Sequence, residues 1–422
     1  MEWTILIVMV VLLVMGFPMM VPLTAGAMVL VFFYLGNIDP YILIQQMRTG
    51  IVAYSLLAVP LFIFAADIMS TGKTSNRLVD FVGSFVGHMR GGYAITTAAA
   101  CTLFGSISGS TQATVVAVGT PMRKKLLKLG YKDSSAIALI INSSDIALLI
   151  PPSIGMIIYA LVADASVGDL FIAGIGPGIL IFLFFAAYAV IHAKIYNIPR
   201  VERSTWSERI FLTRKALLPL GFPLIIVGGI YMGYFTPTEA AGISVLYAII
   251  LEVFVFRSIK IQNLPKIALS TGLVTSAVFI LVAAGQAFSV AINRARIPHT
   301  LTDAVLGPDP TALTVLFIVA LFFFIGCMFV DPIVVILILT PIFAPVATAA
   351  GVDPVHLGVV VVFQAALGSA TPPFGVDIFT ASAVFNKSYL DVIKGTPPYI
   401  VMLVVVAILV ILFEDISLFL IR

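Results

Sequence analysis

The stretch Gly105-Ser106-Ile107-Ser108-Gly109-Ser110-Thr111-Gln112 decides the fold, because it interrupts an apolar run from about 93 to 122. Six of its eight residues are Gly, Ser or Thr, and Gln112 adds an amide. Lipid offers no hydrogen bonds, so a loosened backbone with hydroxyls cannot lie against it. Such a stretch belongs inside protein, at a hairpin tip or helix break, where carbonyls and hydroxyls can turn to an ion.

The surrounding chain fixes the solvent. Of 422 residues, 61% are hydrophobic and 10% charged, with mean hydropathy +1.15. A soluble protein of this composition would expose large apolar patches. A membrane helix needs about 20 apolar residues, leaving room for roughly ten spans. Apolar runs such as 401–413 are continuous rather than alternating, which excludes a membrane barrel. The class is therefore an all-α polytopic membrane protein. The small net charge of +3 sits in loops, which speaks for membrane orientation and against nucleic-acid binding. Cys101 and Cys327 both lie in apolar spans and make neither a disulfide framework nor a metal site. His88, His192, His299 and His356 fall near span ends and read as interface residues. Met1-Glu2-Trp3 carries no basic n-region and reads as the start of a mature helix.

In chain order, 3–36 is too long for one upright helix, and Gly16-Phe17-Pro18 divides it. The next apolar region is 51–70, and 73–90 reads as an amphipathic surface helix. Residues 123–132 hold five cations and no acid, which places them on the cytoplasmic side. The span 133–161 is broken at Pro151-Pro152, where two carbonyls one turn earlier lose their donors. A basic connection is expected over 194–215. Further spans are expected at 216–235, 240–256, 267–292 and 400–420. The stretch 313–347 is interrupted near 326–332, and 355–384 is broken at Pro372-Pro373. Arg294 and Arg296 then fall outside, against the positive-inside rule.

These interruptions recur. Thr120-Pro121 and Thr340-Pro341 are separated by 220 residues (341 − 121), the double prolines by 221 (372 − 151), and Pro177 and Pro397 by 220 (397 − 177). Two repeats are expected, 1–215 and 216–422. The first holds a re-entrant helical hairpin at about 93–122 and a proline-broken helix at about 133–161. The second holds a hairpin at about 311–347 and a broken helix at about 355–384. The basic loops make the repeats inverted, and inverted repeats place the binding site at their interface.

Each hairpin tip, with its broken helix, offers oxygens to one hard cation, and sodium suits such a cage. The candidate sodium ligands are Ser108, Gly109, Ser110, Pro151 and Ser153 in the first pair. In the second they are Phe329, Asp331, Thr371, Pro373 and Gly375. Close helix packing is the competing reason for glycine and serine here. Acids within a membrane are costly and mark function, which singles out Asp145, Asp331 and Asp377. Asp331, before Pro332, can ligate an ion or cap a helix. Asp67 and Glu239 sit near span ends and suit capping or interface roles. Substrate contacts are expected at Ser108, Thr111, Gln112, Asp145 and Asp377, with Thr114 nearby. No organic or metal cofactor is expected; sodium is a coupling ion.

An intramembrane enzyme is the rival class. No His-Glu-x-x-His, no Gly-x-Ser-x-Gly and no mid-span histidine occur. Two facing acids can form an aspartyl dyad, but that leaves the double-proline breaks unexplained. A channel needs rings of like residues from a symmetric oligomer.

At these motifs the sequence resembles the large membrane subunit (DctM-type) of TRAP transporters, the tripartite ATP-independent periplasmic systems. The resemblance rests on Ser108-Gly109-Ser110, on Leu149-Ile150-Pro151-Pro152-Ser153 and on Phe235-Thr236-Pro237-Thr238-Glu239-Ala240-Ala241. It continues through Met328-Phe329-Val330-Asp331-Pro332, Ile338-Leu339-Thr340-Pro341 and Thr371-Pro372-Pro373-Phe374-Gly375. It implies a sodium-driven elevator-type transporter in a bacterial inner membrane. It also implies a small four-helix membrane subunit and a periplasmic substrate-binding protein as partners. Substrates of such systems are organic acids of the C4-dicarboxylate or sialic acid type. A stand-alone ion-coupled carboxylate transporter is the alternative. Two positions depart from the family pattern: Asp377, where Asn is frequent, and the polar run Asn142-Ser143-Ser144-Asp145.

Overall fold

The computed structural model describes residues 2–36, 38–297, 307 and 310–422, and regular structure among them is helical throughout. His299 lies outside the described residues. Seven described helices are long and apolar enough to cross a membrane. The remaining apolar helices are shorter, 10–17 residues.

An outer frame is built first. The expected break in 3–36 is present: α1 (Glu2–Val14) ends before Gly16, whose φ of +82° a side chain would resist, and α2 (Met20–Val29) follows. Next come α3 (Tyr41–Ile51), α4 (Ala58–Thr71) and α5 (Thr74–Val86). Helix α5 covers the amphipathic segment, with Asn76, Asp80 and Phe85 exposed on its outer face. Its buried Leu78, Val79 and Val82 form a stripe against two neighbours, α6 (Gly92–Ser108) and α13 (Trp206–Tyr231). Glu252 pins the start of α5. Its carboxylate accepts from the Lys73 N–H at 3.2 Å, from the Thr74 hydroxyl at 2.6 Å and from the Ser258 hydroxyl. Helix α14 (Pro237–Ile249) lies along α4, and α15 (Leu264–Arg294) crosses α2, α3 and α4. The Thr236–Glu239 capping box that starts α14 gives Glu239 the capping role its position suggests.

Two expectations need correcting. The basic connection over 194–215 is helical from Trp206 onward, so a division at 215/216 falls inside α13. The reason is local: the Thr205 hydroxyl caps Glu208 N, and Arg209 is buried, donating to Ser84 O at 3.1 Å. The last span also stops early, at Leu412, and a short helix follows at Asp415–Leu418.

Inside the frame, the first polar stretch is mostly helix. Gly105 to Ser108 complete α6; the turn is confined to 109–110; then α7 (Thr111–Ala117) and α8 (Gly119–Lys128) begin. The hydroxyls of Thr96, Thr97, Thr102 and Ser106 bond carbonyls three or four residues back, which satisfies these donors within α6 without an outside partner. Helix α9 (Asp133–Ser144) continues into a 3-10 turn at Asp145–Leu148, and the chain breaks before α10 (Ile154–Ala163). Helices α11 (Val167–Ala173) and α12 (Ile175–Ile195) complete this half. The later half runs α16 (Ala312–Phe329), α17 (Pro332–Ala349), α18 (Pro354–Ser369), α19 (Val376–Phe385), α20 (Tyr389–Ile393) and α21 (Pro397–Leu412). Starting residues recur at 220 (312 − 92), 221 (354 − 133), 222 (376 − 154) and 222 (397 − 175). The two halves exchange contacts: α10 packs on α17, and α7 packs on α19.

His356, in the first turn of α18, is buried rather than interfacial, at 1% exposure.

Candidate functional site

Four chain breaks meet at the centre. Ser108 ends α6, and Gly109 takes φ +59°. A Cβ on Gly109 would stand 2.3 Å from Pro152 O, so the turn and the first broken helix touch backbone to backbone. Ser110 is extended and caps α7, its hydroxyl accepting from Ala113 N at 3.4 Å. Ser108 and Thr114 share a hydroxyl contact of 3.1 Å, and Thr114 also bonds Ser110 O at 2.8 Å. Thr114 is thus fully buried bracing inside the turn rather than a substrate contact.

The first broken helix passes through the Pro151-Pro152 peptide, which is cis, and the Ser153 hydroxyl caps α10 through Met156 N at 3.3 Å. In the later half, Val330 is extended and Asp331 caps α17, Oδ1 accepting from Ile333 N at 2.9 Å. Asp331 therefore has the capping role; it also reaches the central cleft. The Pro372-Pro373 peptide is cis too, and Phe374 N donates to Met328 O at 3.1 Å, joining this break to the second turn. Gly375 N donates to Thr371 O at 3.2 Å. The Pro373 carbonyl accepts from Tyr389 Oη at 2.8 Å. Phe329 flanks the turn, its ring 5.9 Å from that of Phe374.

Between the turns lies an open cleft of about 70 Å³. One wall is Gly109, Ser110, Thr111 and Gln112; the facing wall is Asp331, Pro332 and Ile333. Leu148, Val362 and Ala365 supply an apolar side. Ile154 and Gly155 also line it, so the starts of α7, α10 and α17 all converge there. Helix starts present unpaired N–H groups and the positive end of the dipole, which favour an anion.

The expected site residues divide accordingly. Gly109, Ser110, Thr111, Gln112 and Asp331 line the cleft. Ser108, Asp145, Ser153 and Asp377 are buried behind it. The Thr111 hydroxyl links the two sets, donating to Asp377 Oδ1 at 2.7 Å. Ser369 extends the chain of contacts, with Oγ 2.9 Å from Asp377 Oδ2 and 3.4 Å from Asp145 Oδ1. Ser369 was not singled out by sequence; a serine at a helix end gives no signal of its own. Among the described residues no three His, Cys, Asp or Glu side chains gather as a metal centre.

The class these features define is an all-helical, multi-span membrane protein whose broken helices surround a central cleft. The same fold occurs in the YdaH transporter of Alcanivorax borkumensis, whose crystal structure superposes with a TM-score of 0.61, at 16% identity, over 88% of this chain and 87% of that one. Residues 6–416 match the family described as the tripartite ATP-independent periplasmic transporter, DctM component. The chain belongs to that family: it is a TRAP large permease, a multi-pass membrane transport protein and not an enzyme. It is 57% identical to the ectoine TRAP transporter large permease protein TeaC of Halomonas elongata, over 98% of this chain and 97% of that protein. It is 56% identical to the ectoine/5-hydroxyectoine large permease UehC of Ruegeria pomeroyi, over 99% and 98%. The C4-dicarboxylate large permease DctM of Pseudomonas aeruginosa is 37% identical over 86% of each chain.

Proposed function

We propose that this permease imports ectoine or a close analogue, driven by sodium, from a periplasmic binding protein and together with a small membrane subunit. The observation that carries this reading is the cleft between residues 109–112 and 331–333, with three helix starts on it. Ectoine is a compact zwitterion, a carboxylate on a cyclic amidinium. Its carboxylate suits the Thr111 and Gln112 end, at the start of α7, where the backbone N–H groups and the Gln112 amide lie; the Thr111 hydroxyl proton is held by Asp377. Its amidinium suits the Asp331 carboxylate opposite. The names of TeaC and UehC support the choice of ectoine over a dicarboxylate.

In this reading the halves are inverted repeats divided in the connection at 196–205, and each turn with its broken helix holds one sodium. Ser108, Gly109, Ser110, Pro151 and Ser153 serve the first. Phe329, Asp331, Thr371, Pro373 and Gly375 serve the second, with the Pro373 carbonyl shared with Tyr389. The oxygen-only donor sets fit a hard cation. The inner helices, carrying both turns, move as an elevator against the frame of α2–α5 and α13–α15.

The test is uptake into vesicles holding the permease and the small subunit, with loaded binding protein outside. Labelled ectoine should accumulate only with an inward sodium gradient, and excess succinate or sialic acid should not compete for the loaded site. Sodium-independent accumulation, or full-rate uptake of free ectoine without binding protein, would overturn the reading.

A further inference from the structure

Away from the central cleft, the frame holds a second cavity, open to the surface and of about 380 Å³. One side is the last two turns of α4, with Asp67 and Thr71; the other is the start of α15, with Asn263, Lys266, Ile267 and Ser270. None of these residues lines the central cleft. Lys73, Arg257, Lys260 and Lys266 all fall in the segments at this end, which makes it the cytoplasmic one.

Asp67 is the residue that needs a reason. It stands within the span Tyr54–Thr71, where a carboxylate is costly. It also stands near the C-terminal end of α4, where the helix dipole disfavours an anion. Thr271 donates to its Oδ2 at 2.6 Å, which fixes the carboxylate on the cavity wall. Among the described residues Asp67 takes no other side-chain hydrogen bond, and neither Asp67 nor Lys266 has an ion-pair partner. A carboxylate and an ammonium therefore line one cavity without pairing. A simple anion would satisfy Lys266 and be repelled by Asp67, and a simple cation the reverse. A molecule carrying both charges satisfies both.

The neighbouring surface says what kind of molecule that is. Leu269 and Leu273, one and two turns deeper along α15, are 67% and 69% exposed. Their spacing of three and four residues puts them on the same face as Lys266. The charged cavity thus opens beside an apolar stripe, at the depth where lipid headgroups meet lipid chains.

We propose that this cavity binds the headgroup of an aminophospholipid of the cytoplasmic leaflet, of the phosphatidylethanolamine type. The phosphate sits at Lys266, the ammonium at Asp67, and an acyl chain runs along Leu269 and Leu273. A primary ammonium has three N–H donors for the Asp67 carboxylate, whereas a choline headgroup has none. A lipid held in this way ties α4 to α15 alongside the Asp67–Thr271 contact.

The test is made on the permease with its small subunit, stripped of lipid in detergent, as wild type, Asp67→Asn and Lys266→Gln. Each is titrated with dioleoyl phosphatidylethanolamine, phosphatidylcholine or phosphatidylglycerol, and the lipid retained per chain and the melting temperature are read. Wild type should retain more of the ethanolamine lipid than of the other two and melt highest with it. Asp67→Asn should lose the difference between ethanolamine and choline lipids, and Lys266→Gln should lose retention of the ethanolamine lipid. Lys266 is exposed, so that variant decides where Asp67→Asn fails to fold. Equal retention of the three lipids by wild type, or an ethanolamine preference unchanged in Lys266→Gln, overturns the site. Glycerophosphoethanolamine or ectoine raising the melting temperature as much as the lipid would show that a free zwitterion binds there, and overturns the lipid. A preference present in the permease alone and abolished by the small subunit makes the cavity a subunit contact, and overturns it too.

Discussion

Thr111 and Asp377, 266 residues apart, meet at 2.7 Å, the hydroxyl of one helix start donating to the carboxylate of another. This contact ties the cleft wall to the buried acid and joins the two halves of the chain. Thr111→Val keeps the shape and removes the donor. A buried carboxylate oxygen left without its donor costs about 1–3 kcal/mol. The melting temperature should fall and ectoine uptake should drop, while Thr111→Ser restores both. Equal melting of the Val and wild-type proteins would refute the contact.

Gly109 is held at φ +59° against Pro152 O. Gly109→Ala adds about 1–2 kcal/mol of left-handed backbone strain before any clash is counted. The clash is with backbone, which cannot swing aside. The expected outcome is a lower melting temperature and weaker sodium stabilisation, both read from thermal melts with and without sodium. A Gly130→Ala control, also at positive φ but with open space around it, should lower stability and leave the sodium effect unchanged.

Glu252 fastens the start of α5 to the end of the α14 span. Glu252→Ala strands the Lys73 N–H and the Thr74 hydroxyl, at about 1–3 kcal/mol for each group left dry, while the Ser258 hydroxyl keeps the residue-252 carbonyl at 3.0 Å. Glu252→Gln retains one acceptor oxygen and should be milder. Limited proteolysis near 72–74 reads the difference, with Ala cut fastest and wild type slowest.

Asp133 stands at the aqueous end of α9, ahead of the apolar segment that begins at Ala136. Arg123 donates to both its oxygens at 2.6 and 2.7 Å, and Lys387 lies at 2.8 Å. Hydrogen bonding from Arg123 holds its carboxyl down at about 2, below the usual 3.8. A lowered folded value means the stabilisation is complete above the unfolded pKa and is lost as pH falls through the folded one. Wild type should therefore outmelt Asp133→Asn at pH 7, and the difference should shrink below about pH 4, with part of it still present at pH 2, where the folded carboxyl is half-ionised. Because the group is largely solvated, added salt should also shrink it.

The breaks were legible in sequence because Pro151-Pro152, Pro372-Pro373 and the Gly-Ser run are local signals whose backbone consequences need no partner. The extent of the first interruption was not: Gly105 to Ser108 stay helical where α6 packs on α9, and the Ser106 hydroxyl is satisfied within the helix by Leu103 O. The start of α13 was hidden by its charges, since only tertiary contact shows that Arg209 is buried against Ser84 and aromatic rings. The acids were visible as costly residues, but their pairing was not, because nothing local links Asp145 to a serine 224 residues away. The apolar wall of the cleft, Leu148, Val362 and Ala365, is indistinguishable in sequence from lipid-facing residues.

The exchange of α7 onto α19 and α10 onto α17 sets an order of events at the ribosome. At roughly 5–20 residues per second, the 224 residues between Asp145 and Ser369 take about 10–45 seconds to make. Throughout that interval the polar end of α9 is finished and packed on α6 to α8, but its later-half partner Ser369 does not exist. The contact between the halves therefore closes late, after Ser369 has been made. A gene cut between the halves would still yield a working permease only if both fragments reached the membrane within the lifetime of the unpaired first half.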